Sequence, residues 1–187
     1  MIDRMPPLTT EKMNDAQKKA AAELIAGPRK GVFGPFIALM RSPQLMDRLG
    51  RVGEYLRFHN TVPTKLNEFA ILIASRHTTN QFEWAIHHPL AIKAGVARAT
   101  LDAIEQGRQP VGMPEDEEVV YDFCTEVLAT HHATDATYAR ALVRFGEQGI
   151  VDLVGTVGYF VAICLVMNVA GTPAPKSDVP PLVALRN

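Results

Sequence analysis

Apolar residues along the chain recur every three to four positions, in segments separated by glycine, proline and short polar stretches. This spacing is typical of helices that bury one face. Sustained alternation of apolar and polar residues, which indicates strands, is absent from the sequence. The pattern therefore predicts an all-α protein of about eight helices. They span residues 10–26, 43–58, 63–77, 81–95, 98–106, 115–130, 134–145 and 149–170, with a short helical piece over 36–42.

The glycines and prolines between these helices predict the domain organisation. Gly27 ends the first helix before an irregular loop, and Gly171 ends the last helix before a proline-rich stretch. We therefore expect one helical domain over 36–171. An N-terminal helix and loop arm precedes it over 1–35, and a proline-rich tail follows over 172–187. The residues expected to share the apolar face of helix 43–58 are Leu45, Leu49, Val52 and Leu56.

The segment 150–170, "IVDLVGTVGYFVAICLVMNVA", is long enough to span a bilayer. It is equally typical of the buried central helix of an all-α protein or oligomer. Asp152 and Asn168 lie inside the segment, and Lys or Arg does not cluster at its ends. These features favour the buried helix and a protein without a membrane span.

Composition narrows the class of protein further. The 187 residues are 47% hydrophobic and 21% charged, which is ordinary for a soluble globular chain. Nineteen basic residues face twenty acidic ones, so no basic surface for nucleic acid is expected. The N-terminus lacks the apolar stretch of a signal peptide. With only two cysteines and no CxxC pair, a reduced, cytoplasmic setting is the simplest expectation.

Candidate chemistry begins in the stretch "QFEWAIHHP", residues 81–89. Glu83 and His87 are four apart, so they share one face of a helix. A carboxylate beside an imidazole favours imidazolium, and such a pair can pass a proton near neutral pH. The spacing is also that of an ordinary solvated helix pair. His88 points about a quarter-turn away and need not face the same way.

Glu68, one helix upstream, helps to distinguish a proton-transfer pair from a solvated helix pair. If helices 63–77 and 81–95 pack antiparallel across the turn at 78–80, Glu68 approaches His87 and two acids meet one histidine. The alternative is a surface stripe in which Glu68 pairs with Arg76, eight residues further along the same helix.

A metal site is a further possibility for the same residues. Glu83, His87 and His88, with His77 or His59, supply oxygen and nitrogen ligands. No HExxH or comparable signature is present, and adjacent histidines rarely both bind one ion. We expect no metal.

The two cysteines are candidate nucleophiles of a different kind of enzyme. Cys124 lies in an apolar helical pattern between Asp122 and Glu126, and acidic neighbours raise a thiol pKa and lower its reactivity. Cys164 lies in "VAICLVM", a pattern typical of core. Neither position favours thiol catalysis.

Residues 67–96, "NEFAILIASRHTTNQFEWAIHHPLAIKAGV", resemble the carboxymuconolactone decarboxylase family, within the alkylhydroperoxidase-D-like (AhpD-like) superfamily. A weaker resemblance continues to residue 168, so that most of the chain after residue 36 is covered. The peroxidase branch of that superfamily carries a CxxC pair, whose positions here hold Asn80 and Glu83. The chain departs from that branch. The matching positions are Glu68, Arg76, Phe82, Glu83, Trp84, His87, Ala91 and Gly95.

The resemblance implies an AhpD-like helical fold, assembled as a homo-oligomer, often a trimer or hexamer. It implies a cofactor-independent carboxy-lyase acting on a small carboxylated lactone or related intermediate of aromatic catabolism. His87, with Glu68 and Glu83, is implied as catalytic, and Arg76, Trp84 and His88 as substrate-binding. Two alternatives stay open: a peroxide-handling protein, and a non-catalytic helical oligomer that binds a ligand.

Overall fold

Eight α-helices and one 3-10 turn make up the regular structure of residues 2–184, the part of the chain that the computed structural model describes. No strand occurs within this range, so the predicted all-α class is confirmed. The 3-10 turn covers Thr10–Lys12. The helices are α1 (Asp15–Ala26), α2 (Pro35–Leu39), α3 (Pro43–Phe58), α4 (Thr64–His77), α5 (Gln81–Ala94), α6 (Arg98–Glu105), α7 (Glu115–Thr130) and α8 (Asp135–Ala170).

Helix α4 is the centre of the fold. It packs against α5, α7 and α8, and every residue from Leu66 to Arg76 is buried. A helix surrounded in this way needs apolar side chains on all sides, which explains the aliphatic run in its sequence. The few polar side chains that it buries, Glu68 among them, must then find partners inside the protein.

Two helix boundaries differ from the prediction. α1 begins at Asp15, because Asn14 forms a capping box with Gln17 that starts the helix there. The segments predicted separately as 134–145 and 149–170 form one long α8, interrupted at Gly146, whose φ of 67° and ψ of 178° are not helical. The predicted break is thus present as a local disruption, not as a loop.

The predicted apolar face of α3 is only partly correct. Leu56 is buried and Leu49 packs against the core, but Leu45 and Val52 are exposed. The other buried positions of the helix are Met46, Gly50 and Gly53. Counting apolar side chains could not find this face, because its glycines contribute no side chain. They are buried because other groups pack closely against the helix there: at Gly53 these are the Tyr159 hydroxyl and the Arg29 guanidinium.

The two ends of the described chain pack on the helical core. The amide of Arg4 donates to the carbonyl of Ala170 at the end of α8. Leu182 is buried in the main hydrophobic core, and Gln81 hydrogen-bonds both its carbonyl and its amide. The part of the tail before residue 185 therefore lies on the molecule's own surface.

α8 is the one helix of residues 2–184 that is long and apolar enough to cross a membrane, and 56% of its most apolar window is buried inside the protein. The one charged residue of its apolar segment 150–170 has a structural explanation. Asp152 accepts hydrogen bonds from the Tyr55 hydroxyl and from both the amide and hydroxyl of Thr61, at 2.8–3.0 Å. The carboxylate thereby joins α8 to the end of α3.

Candidate functional site

The turn between α4 and α5 positions the candidate site. The side chain of Asn80 caps α5 by accepting from the amide of Glu83, and donates to the carbonyl of Cys164 and to Asn168 on α8. Thr79 adopts a φ of 49°, which reverses the chain within three residues. The two helices consequently run back along each other, as the sequence predicts.

Both ring nitrogens of His87 face a carboxylate. Nδ1 forms a 2.6 Å hydrogen bond with Oε2 of Glu68 on α4. Nε2 lies 3.1 Å from Oε2 of Glu83, one turn earlier on α5. All three side chains are buried. The predicted approach of Glu68 to His87 is therefore confirmed, and the surface stripe pairing Glu68 with Arg76 is not what the chain forms.

This arrangement favours the imidazolium form of His87. Burial by itself lowers the pKa of His87, but the hydrogen bonds and negative charges of Glu68 and Glu83 outweigh it, and the net pKa is raised above its ordinary 6.5. A neutral imidazole has one N–H, so it can donate to only one of the two carboxylates. Filling both contacts takes an imidazolium, or a proton on one carboxyl group.

The neighbouring histidine has the opposite character. His88 packs against the indole of Trp84, with ring centroids 5.5 Å apart. Burial, and then the charge of Arg98, lower the pKa of His88. Of the two adjacent histidines, only His87 lines the small cavity that also includes Glu83.

A small cavity of about 40 Å³ opens beside Glu83 and His87. Its volume suits one or two water molecules. Several aromatic rings line it, and the ring of Phe160 meets His87 edge-on at 5.3 Å. The aromatic residues lining the cavity are Phe33, Phe36, Phe82, Tyr159 and Phe160.

Two cationic side chains also line this cavity. Arg29, from the loop after α1, and Arg57, from α3, both line it, and neither forms an ion pair within residues 2–184. The Nε atom of Arg57 is buried without a hydrogen-bond partner in that range. Burial raises the pKa of the Tyr159 hydroxyl to about 12, so it stays protonated as a donor. With imidazolium, three cations face two carboxylates, which suits an anionic ligand.

The sequence offers no direct signal for Arg29, Arg57 and Tyr159. Arg29 lies in a glycine-rich and proline-rich loop, and Arg57 is one of several arginines along α3. Arg29 approaches Tyr159 only because Gly53 leaves room: a Cβ there would collide with the Tyr159 hydroxyl and the Arg29 guanidinium. That glycine in an otherwise periodic helix was the one available hint.

The residues expected to bind substrate lie elsewhere. Arg76 lines a different cavity, between α4, α6 and α7. Trp84 and His88 are buried against each other and are not among the residues lining the His87 cavity. The structure thus brings together Glu68, Glu83 and His87 but not the other three.

Thiol chemistry finds no support in this geometry. Cys124 and Cys164 are both free and buried, and burial raises the pKa of each thiol to about 12. Cys164 also lies near the charge of Glu83, which opposes thiolate formation.

The arrangement of the side chains that could act as metal ligands bears on metal binding. Within residues 2–184, no group of three or more His, Cys, Asp or Glu side chains is arranged to hold a metal ion. At His87 both ring nitrogens are directed at carboxylates, which leaves neither available to an ion in this arrangement.

Comparison of the whole chain with protein-family models and with curated proteins found no match. The resemblance to carboxymuconolactone decarboxylases therefore rests on the residues quoted for it and stays a prediction.

Proposed function

We propose that the protein is a cofactor-independent enzyme of the carboxymuconolactone decarboxylase type, which uses Glu68, His87 and Glu83 to transfer a proton to a small carboxylated substrate. The observation that carries the proposal is the contact of both His87 ring nitrogens with buried carboxylates, at 2.6 and 3.1 Å. A purely structural histidine needs one such partner. Two buried carboxylates on one ring are costly unless a proton is held there.

The two contacts of His87 give Glu68 and Glu83 different roles. Glu68 holds Nδ1 in the shorter hydrogen bond and has no place in the cavity wall, so it orients the ring and stabilises its charge. Glu83 lines the cavity, as His87 does, and lies near Nε2 at the longer distance. Nε2 is therefore the nitrogen that delivers the proton, and Glu83 is positioned to share it.

Decarboxylation needs these groups in a definite order. The bond from the substrate carbon to its carboxylate breaks, carbon dioxide leaves, and the electron pair stays on the carbon as an enolate-like system. The proton from His87 then ends on that carbon. Arg29, Arg57 and the Tyr159 hydroxyl are the cavity's candidates for holding the substrate's anionic oxygens.

A lactone acid is larger than a 40 Å³ cavity, so binding requires the wall to open. The loop after α1 is the part of the wall that packs least deeply: Phe33 is exposed although it lines the cavity. Gly34, with a φ of 58°, joins this loop to α2. Outward movement of Phe33 about Gly34 would enlarge the cavity without disturbing α4 or α5.

We also propose that the protein acts as a homo-oligomer through α8. One side of this helix is apolar and exposed along more than four turns, and a second copy of the chain would cover it. Sedimentation analysis is expected to show a trimer or hexamer, and Leu165→Glu is expected to dissociate it. A wild-type monomer would contradict this proposal. The exposed apolar residues are Val151, Val154, Leu165 and Val169.

The test of the function is carbon dioxide release from 4-carboxymuconolactone and a few related lactone acids. We compare wild type with His87→Gln and with His59→Gln, a control at an exposed histidine after α3. We expect release by wild type and by the control, and loss of about 10²–10⁴-fold in His87→Gln. Release that survives in His87→Gln removes His87 from the mechanism. No release by wild type from any of these acids overturns the decarboxylase assignment.

A further inference from the structure

A second cavity, of about 160 Å³, lies between α4, α6 and α7, and no residue lines both it and the His87 cavity. Its apolar wall includes Ile73, Ile104 and Leu128. Its polar side chains include Arg76, Arg108 and Tyr121. The cavity has about four times the volume of the one beside His87.

Arg76 is the unexplained group of this cavity. Its side chain is on the buried α4, and the residue is 5% exposed. Only Nη2 is engaged, donating to the carbonyl of Val183 at 2.8 Å. Nε and Nη1 are buried with no hydrogen-bond partner within residues 2–184. Buried donors are nearly always paired, so an arginine with two unpaired nitrogens calls for an acceptor that the protein does not supply.

No carboxylate within residues 2–184 neutralises this guanidinium by direct contact. Arg76 forms no ion pair there, and Glu105 acts on it only at longer range. Burial lowers the pKa of Arg76, but a guanidinium stays charged at neutral pH. Arg108, at the exposed rim, donates to the neutral side chain of Gln106 and forms no ion pair with any residue from 2 to 184. The cavity therefore holds two cations above an apolar wall.

We propose that this cavity binds a small carboxylate whose apolar body is about the size of one aromatic ring, with Arg76 holding the carboxylate. Carboxylate oxygens are the acceptors that a guanidinium prefers. A cavity of this volume accommodates a benzene-sized body, and its aliphatic wall favours such a body over inorganic phosphate. This site stands apart from the proposed reaction at His87 and does not depend on it.

Benzoate is the probe, and amide shifts of the ¹⁵N-labelled full chain locate its binding. We expect benzoate at millimolar concentrations to shift the amides of Gly107 and Thr125, which line this cavity, and to leave those of Phe82 and Ile163 unchanged. Benzamide, which has the same ring without the charge, is expected not to bind, and inorganic phosphate to bind more weakly than benzoate. Shifts centred on Phe82 and Ile163, equal binding of benzamide, or no binding of benzoate each overturn the proposal.

Variants then test the role of Arg76. Arg76→Gln is expected to weaken benzoate binding about tenfold or more, because a charged donor is lost. Arg98→Gln changes an exposed arginine outside both cavities and is expected to leave benzoate binding unchanged. Arg108→Gln, at the exposed rim, tests the same cavity without risk to folding and is expected to give a smaller loss. Binding that is unaffected by both Arg76→Gln and Arg108→Gln contradicts the assignment.

Discussion

The Nδ1 atom of His87 lies 2.6 Å from Oε2 of Glu68, although 19 residues separate them. The contact exists because α4 and α5 fold back on each other across a turn that Asn80 fixes. It gives Glu68, on the buried helix α4, a charged partner on α5.

Gly53 is expected to tolerate no side chain. A Cβ at this position would collide with the Tyr159 hydroxyl beside the site, so Gly53→Ala is expected to destabilise the protein by about 1–3 kcal/mol. Chemical denaturation measures this. Adding Tyr159→Phe, which removes the hydroxyl, is expected to recover part of the loss. The control is Gly50→Ala on the same helix, where a Cβ would make only ordinary contacts at 3.8 Å and a stabilisation of roughly 0.5–1 kcal/mol is expected. Equal effects at both glycines would argue against the close approach.

Asp152 is expected to be a major stabilising residue. Asp152→Ala leaves the donors of Tyr55 and Thr61 without their acceptor, and should cost about 2–4 kcal/mol of unfolding free energy. Glu147→Ala, at an exposed position of the same helix, is expected to change it by less than about 0.5 kcal/mol. A small effect at Asp152 would mean that its three hydrogen bonds contribute little net stability.

The thiols are expected to be unreactive in the folded protein. Burial raises the pKa of Cys124 and Cys164 to about 12, so almost no thiolate exists near neutral pH. Iodoacetamide is expected to label neither cysteine in the native protein and both after denaturation, as read by mass spectrometry. Rapid native labelling, together with peroxide consumption that Cys124→Ala or Cys164→Ala abolishes, would revive the peroxide-handling alternative.

The contribution of His87 to the free energy of unfolding is expected to decrease as pH rises. Its pKa in the folded protein is raised above the ordinary 6.5, so its contribution is complete below about pH 6.5 and is lost as pH rises through the folded pKa. The unfolding free energy of wild type minus that of His87→Gln should therefore fall from about pH 6 to about pH 9, by roughly 1.4 kcal/mol per unit of pKa shift. A difference that grows with pH would contradict the raised pKa.

Much of the fold follows from local chemistry that the sequence displays. Glycine, proline and capping residues place most helix ends. The short turn at 78–80 makes the approach of Glu68 to His87 one of two arrangements that the sequence allows, and the structure has that one. The same reasoning misplaces the start of α1 by five positions, because Asn14 competes as a cap inside a helical pattern. On α3 it places Leu49 and Leu56 correctly but Leu45 and Val52 wrongly, because close approach at glycines helps to decide which side of the helix is buried.

The sequence does not predict which cationic side chains line the site. Arg29, Arg57 and Tyr159 come from three separate elements, and only tertiary packing puts them on one cavity. For Arg76 the sequence predicts a place in the site that the structure does not give it. Its place in the resembling stretch suggested substrate binding beside His87, but its direction on α4 carries it to the cavity near α7.

The most direct test of the account is an NMR titration of the His87 ring in wild type and in Glu68→Gln. The carboxylates predict a pKa above 6.5 in wild type, and a lower pKa in the variant because one carboxylate is lost. His88, whose pKa is expected below 6.5, serves as an internal control on the same helix. A His87 that titrates below 6.5, or one that Glu68→Gln leaves unchanged, would contradict the claim that two carboxylates hold a proton on this ring.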